Sequence, residues 1–135
     1  MGTWGTGPFD SDMAEDFVDQ LEGLTPERRA EVIRSRLEHA ISDRSDKLLG
    51  EVLAAAAVVA AGLPSGRGLP WNEDYPGNAA WLPGNDITGL ALMADRVLDS
   101  HFPSDGWYWR SWVDEDDRAE AILVHERLRQ ALQDR

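Results

Sequence analysis

Two arginine–histidine pairs are the residues of this chain best suited to chemistry. Four residues lie between Arg34 and His39, and four between Arg96 and His101. A guanidinium can hold developing negative charge and an imidazole can move a proton. Other patterns fall short of a site. Asp10-x-Asp12-x-x-x-Asp16 starts like a calcium loop but lacks the third oxygen ligand, the central glycine and the closing bidentate glutamate. His125-Glu126 is not followed by a second histidine at helical spacing, so it does not build a zinc protease. Asp114-Glu115-Asp116-Asp117 sets four carboxylates in succession, and successive positions on a helix point away from any shared ion. The chain has 0 cysteines, which removes disulfides, thiolate chemistry and cysteine-held zinc. These patterns assign no catalytic residue, no metal and no cofactor.

Charge says more about partners. Against 25 acidic residues stand 13 basic ones, a formal net of -12. Nucleic-acid affinity comes mostly from Lys and Arg neutralising phosphates, so this balance argues against nucleic acid, and likewise against an anionic membrane. A basic protein surface is the natural complement. The charge is concentrated early: Asp10, Asp12, Glu15, Asp16, Asp19 and Glu22 all precede the first basic residue, Arg28. Asp12, Asp16 and Asp19 fall at i, i+4 and i+7, on one helix face opposite Phe17. Their repulsion costs about a few tenths of a kcal/mol per pair, which docking of a basic partner would offset. Aromatic residues would complete such an interface. Five of the 6 tryptophans lie between Trp71 and Trp112. Trp71, Tyr75, Trp81, Trp107 and Trp109 are candidate anchors, because Trp and Tyr dominate binding hot spots. Packing under the loops is the alternative use of the same rings.

The elements that would carry these residues are helical. A chain of 135 residues, 42% hydrophobic, has the size of one domain and enough apolar surface for a core. Asp10 or Ser11 can cap a first helix whose stripe is Met13, Ala14, Phe17, Val18 and Leu21. Phe9 folds back on its first turn, and Gly23 ends it. Thr25-Pro26-Glu27 starts a second, with Ala30, Ile33, Leu37, Ala40 and Ile41 on its stripe. Asp43 or Ser45 can cap a third, running from about Asp46 to Ala61 and apolar on nearly every side, so other helices must surround it. Residues 64–85 then form an irregular stretch rich in Gly, Pro and Trp. Asn85 or Asp86 starts a fourth helix on Ile87, Leu90, Ala91, Ala94, Val97 and Leu98. The acidic run Asp114 to Asp117 opens the last, with Ala121, Val124, Leu128, Ala131 and Leu132 on its stripe and His125 at the edge. No stretch alternates long enough to be a strand.

The opening segment is the most distinctive. Gly2-Thr3-Trp4-Gly5-Thr6-Gly7-Pro8-Phe9-Asp10-Ser11-Asp12 has neither the spacing of a dinucleotide fingerprint nor that of a phosphate loop, and Asp10 and Asp12 would repel an anion. Its glycines let Trp4 and Phe9 turn inward. This motif, continued by Ala14, Asp16 and Phe17, resembles the opening of the bacterial domain-of-unknown-function 4259 (DUF4259) family. The order of helices beyond it is similar, as is the acidic, tryptophan-bearing approach to the last helix at Trp112 to Asp117. The Gly/Pro stretch and the Trp107 to Trp109 cluster look particular to this chain. The family has no assigned activity, so the resemblance implies a small bacterial protein and supplies no catalytic residues.

The expected fold is all-α: one acidic domain over residues 1–135, a bundle of about five helices with a central apolar helix and two long aromatic loops. The expected function is non-catalytic protein binding of the immunity or antitoxin type, through Asp12, Asp16, Asp19 and the aromatic anchors. One alternative is a small ribonuclease or hydrolase using Arg34/His39 or Arg96/His101, a spacing similar to that of helical HEPN-type ribonucleases. Another is a structural, oligomerising domain; the pattern leaves the oligomeric state open. A cytoplasmic location is expected. The start lacks a basic segment followed by an apolar one. The longest apolar run, Val52 to Ala61, falls well below the roughly 20 residues needed to span a bilayer.

Overall fold

The computed structural model describes residues 7–9, 12–42, 49–74, 80–102 and 114–133. Among them are five α-helices and one short 3₁₀ helix: α1 (Asp12–Glu22), α2 (Pro26–Ser42), α3 (Leu49–Ala61), the 3₁₀ turn (Pro70–Asp74), α4 (Ile87–His101) and α5 (Glu115–Gln133). The described residues contain no strand. The capping positions Asp10, Ser11, Asp43 and Ser45 lie outside the described residues, as does the aromatic stretch 103–113.

Helix α3 organises the bundle. Its 13 residues carry one charge, Glu51, and every position from Val52 to Ala61 is buried. A helix with no polar face can be stable in water only when neighbours cover all of it. Here α1, α2, α4 and α5 all pack against it. The four alanines Ala54 to Ala57 are each 0% exposed, and their small side chains let the surrounding helices approach closely. Each neighbour turns its apolar stripe inward: Phe17, Val18 and Leu21 from α1; Ile33 and Leu37 from α2; Leu90, Val97 and Leu98 from α4; Leu128 and Leu132 from α5. Phe9, ahead of α1, is buried in the same core.

The stripes are narrower than their spacing predicts. Met13 is 40% exposed and Ile41 42% exposed. Both sit at the margin of a helical face, where periodicity cannot separate a buried edge from a wet one.

Two of the expected helix starts are realised as capping bonds. Thr25 Oγ1 accepts a hydrogen bond from the Arg28 amide at 3.2 Å, with Pro26 as the first helical residue of α2. Asp114 Oδ1 accepts from the amides of Asp116 and Asp117 at 2.8 and 3.2 Å, so one member of the acidic run caps α5 and three sit in its first turn. Asp86 differs. It precedes α4 but already has helical dihedrals, φ -96° and ψ -17°, and makes no side-chain cap. Its carboxylate lies 3.9 Å from Arg34 of α2 instead.

The stretch after α3 is ordered where it is described. The amides of Gly62, Leu63, Gly66, Arg67, Leu69 and Asn72 each donate to a carbonyl three or four residues back. Asn72 Nδ2 adds a 2.7 Å bond to the Gly66 carbonyl. Pro70, with its fixed φ and missing N–H, opens the 3₁₀ turn where the sequence pattern predicts only irregular chain. This folded strap lays Leu63 and Trp71 into the core.

Arginines cross-link the helices. Arg29 of α2 donates through Nε to the Leu21 carbonyl at 2.7 Å and through Nη2 to the Glu22 carbonyl at 3.0 Å. These carbonyls lie in the last turn of α1, at its negative end. The same guanidinium sits 4.9 Å from the centre of the Trp81 ring and reaches the Trp81 carbonyl at 3.4 Å. One side chain therefore joins α1, α2 and the chain leading into α4. Replacing Arg29 with methionine keeps the stem and removes the donors. It is expected to lower unfolding stability by about 1.5–3 kcal/mol, the range for hydrogen bonds to a charged group. Arg28→Met, which loses only an exposed pair with Glu31, should change it by less than about 0.5 kcal/mol. Urea denaturation of the two variants checks the contrast.

Candidate functional site

The outer face of α1 is the largest run of one charge on any described helix. Its sequence, DMAEDFVDQLE, carries five carboxylates and no basic residue. Burial of Ala14, Phe17, Val18 and Leu21 forces the remaining positions outward, and Glu15, Asp16, Asp19 and Glu22 are all exposed. Among the described residues, none of these four is paired with a cation. The Asp12 side chain lies outside the described residues; its backbone opens α1.

Several arginines, by contrast, are paired. Arg28 pairs with Glu31, Arg34 with Asp86, and Arg36 with Glu51 at 2.8 Å. Arg36 also lies 5.9 Å from the centre of the Phe17 ring, so it joins α1, α2 and α3. On α5, Arg129 Nε donates to Asp95 Oδ1 of α4 at 2.9 Å, and Nη1 lies 3.2 Å from Asp99 Oδ1. Gln133 Nε2 adds a 3.3 Å bond to the same Asp95 oxygen. Four described arginines thus hold acidic partners, Arg67, Arg96 and Arg127 are exposed, and the α1 carboxylates remain turned to water.

The aromatic candidates divide. Trp71 is 9% exposed and belongs to the core, its indole N–H buried without a hydrogen-bond partner among the described residues. Trp81 is partly buried beneath the Arg29 guanidinium. Tyr75, Trp107 and Trp109 lie outside the described residues.

The described geometry bears on one arginine–histidine pair only, Arg34 and His39. Arg34 and His39 stand five positions apart on α2, and so roughly 140° apart around its axis. Arg34 leans toward Asp86, and His39 is exposed. Arg96 is exposed on α4, and the His101 side chain lies outside the described residues. His125, at the margin of its expected stripe, is in fact buried at 8% exposure, with its ring 5.1 Å from that of Phe102. Burial, and secondarily the neighbouring Arg129, push its pKa down from 6.5 to about 4; Asp95 opposes this in part. No group of three or more His, Asp or Glu able to hold a metal occurs among the described residues, and no described helix is long and apolar enough to cross a membrane.

Fold and surface together define an all-helical domain whose arginines tie helices together and whose first helix presents unpaired carboxylates. The chain belongs to the DUF4259 family, a domain of unknown function, whose model matches residues 2–122. Comparison with curated proteins and with solved structures returns no match. The family match stops within α5, before His125 and Arg129, although the remainder of that helix buries Leu128, Ala131 and Leu132.

Proposed function

We propose that this protein is a non-catalytic binding module of the immunity or antitoxin type, and that the α1 face docks a basic protein surface. The observation that supports this is the set of exposed carboxylates Glu15, Asp16, Asp19 and Glu22, unpaired while Arg34, Arg36 and Arg129 are held by carboxylates of other elements. Unpaired like charge on one helix weakens that helix, and a cationic partner removes the penalty on contact. Charges at the rim of an interface act chiefly by steering, so they raise the association rate and make it sensitive to salt. Asp16 and Asp19 would meet the partner directly, with Asp12 at the leading end of the same face.

The test is a pull-down from the native host at low salt, with the unaltered protein and with Asp16→Lys/Asp19→Lys. Both positions are exposed, so the double variant should keep its helical content and change stability by less than about 1 kcal/mol. A partner of net positive charge is expected with the unaltered protein, and the association rate of the double variant should fall at least about tenfold. Failure to recover any partner at low salt counts against the proposal, as does equal capture by the double variant. An immunity protein should also be encoded beside the toxin it neutralises.

A further inference from the structure

The outer face of α4 carries a hole and a knob side by side. Gly89 lies inside this helix, and a Cβ added there meets nothing within 4 Å. A glycine within a helix costs stability relative to alanine. Here neither a left-handed φ nor a neighbouring atom of this chain requires one. Leu92 lies on the same side of the helix, since positions i and i+3 are neighbours on its surface. Leu92 is 48% exposed, the most of any large apolar side chain among the described residues. Thr88 and Arg96 are exposed around the two, and Met93 is partly so.

Charge separates this face from the other exposed apolar positions. Met13 is followed by Glu15 and Asp16, and Ile122 and Leu123 lie between Glu120 and Glu126. Residues 87–94 carry no charge, and the first exposed charge after them is positive, Arg96. In a chain of net charge -12, a second copy is repelled from carboxylate faces and least from this one.

We propose that two copies of this chain associate through α4, antiparallel about a twofold axis, with Leu92 of each copy seated over Gly89 of the other. A closed twofold contact uses one patch that complements itself. A knob and a hole three positions apart on one helix meet that condition, because both seatings form at once when the helices run in opposite directions. The missing Cβ lets the two backbones approach closely. The same register pairs charge. Arg96 lies four positions beyond Leu92, and four positions before Gly89 is Asn85, next to Asp86. Among the described residues Arg96 holds no carboxylate, and Asp86 has Arg34 only at 3.9 Å. Two reciprocal Arg96–Asp86 pairs therefore flank the seam. One helix face is smaller than the contact of a stable complex, so the copies separate on dilution and leave Leu92 open to solvent. The contact uses none of the α1 carboxylates and is independent of the docking proposed for them.

Sedimentation equilibrium of the full chain, carried up to about 1 mM, should show one copy when dilute and two when concentrated. Leu92→Asp and Gly89→Gln should each weaken the association at least about tenfold. Gly89→Gln enters open space and raises helix propensity, so its circular dichroism should match that of the unaltered chain. Should Leu92→Asp fail to fold, Gly89→Gln decides alone. Asp16→Lys/Asp19→Lys must not weaken the association, because α1 takes no part in it. A single copy at every concentration overturns the proposal. So does an association that Gly89→Gln leaves unchanged, or one that the α1 variant abolishes.

Discussion

Phe17→Ala is expected to lower the unfolding free energy by about 3–5 kcal/mol, the range for truncating a fully buried phenylalanine. For a domain whose whole stability is about 5–15 kcal/mol, that is about a fifth or more of the total, and Tm should fall on the order of 10–20 °C. Phe17 is 1% exposed and among the largest side chains buried completely. It is the largest fully buried side chain of α1, which packs on α3, and its ring lies beneath the Arg36 guanidinium, which is paired with Glu51. Truncation therefore opens a cavity and removes the platform of an interhelical ion pair at once. Met13→Ala, on the same helix but 40% exposed, should cost less than about 1 kcal/mol. Equal losses for the two variants in chemical denaturation would mean that α1 does not dock on the face described.

Gly66→Ala should lower stability by about 1–3 kcal/mol, for a different reason. A Cβ at position 66 would fall on the backbone carbonyl group of Ala60, in the last turn of α3. No rotamer relieves a clash with backbone, so the strap must move. That shift would strain the bonds Gly66 makes to Leu63, Leu69 and Asn72, and with them the seating of Trp71. Two other glycines isolate the cause. At Gly68 a Cβ meets nothing within 4 Å, so Gly68→Ala should be neutral or slightly stabilising. At Gly62 the nearest atom is the end of the Ile87 side chain, 2.6 Å away, which can turn aside. Thermal melts of the three variants should place Gly66→Ala well below the other two. Three equal melts would contradict the close approach of the strap to α3.

Much of the fold is legible in the sequence because helices advertise themselves locally. Thr25-Pro26 and Asp114 mark helix starts by residue type, and both become real capping bonds. The apolar run ending at Ala61 has no polar face, and that alone requires a central position. Local pattern fails where distant residues decide. Asp86 is a good cap by type, but its backbone is already helical and its carboxylate faces Arg34, 52 positions earlier. Arg29, Arg36 and Arg129 read as ordinary surface arginines, and only the packing of separate helices reveals what they hold. His125 sits at the stripe's margin by spacing, and the contact with Phe102 from outside α5 carries it to the buried side. The acidic face of α1 was readable because it depends on one helix only. Its partner leaves no trace in this chain's own pattern beyond charge.

The placement of α3 supports everything else, and the absence of cysteine gives a clean way to test it. Ala54, Ala55, Ala56 and Ala57 can each be replaced by cysteine, a small change in volume, in a chain that has 0 cysteines of its own. Four consecutive positions, about 100° apart, sample every side of a helix. If all sides are covered, each thiol should react with a labelling reagent only as fast as the protein opens, at least about a thousandfold slower than Leu92→Cys on the exposed face of α4. A single one of the four that labels as fast as Leu92→Cys under native conditions would contradict a central α3.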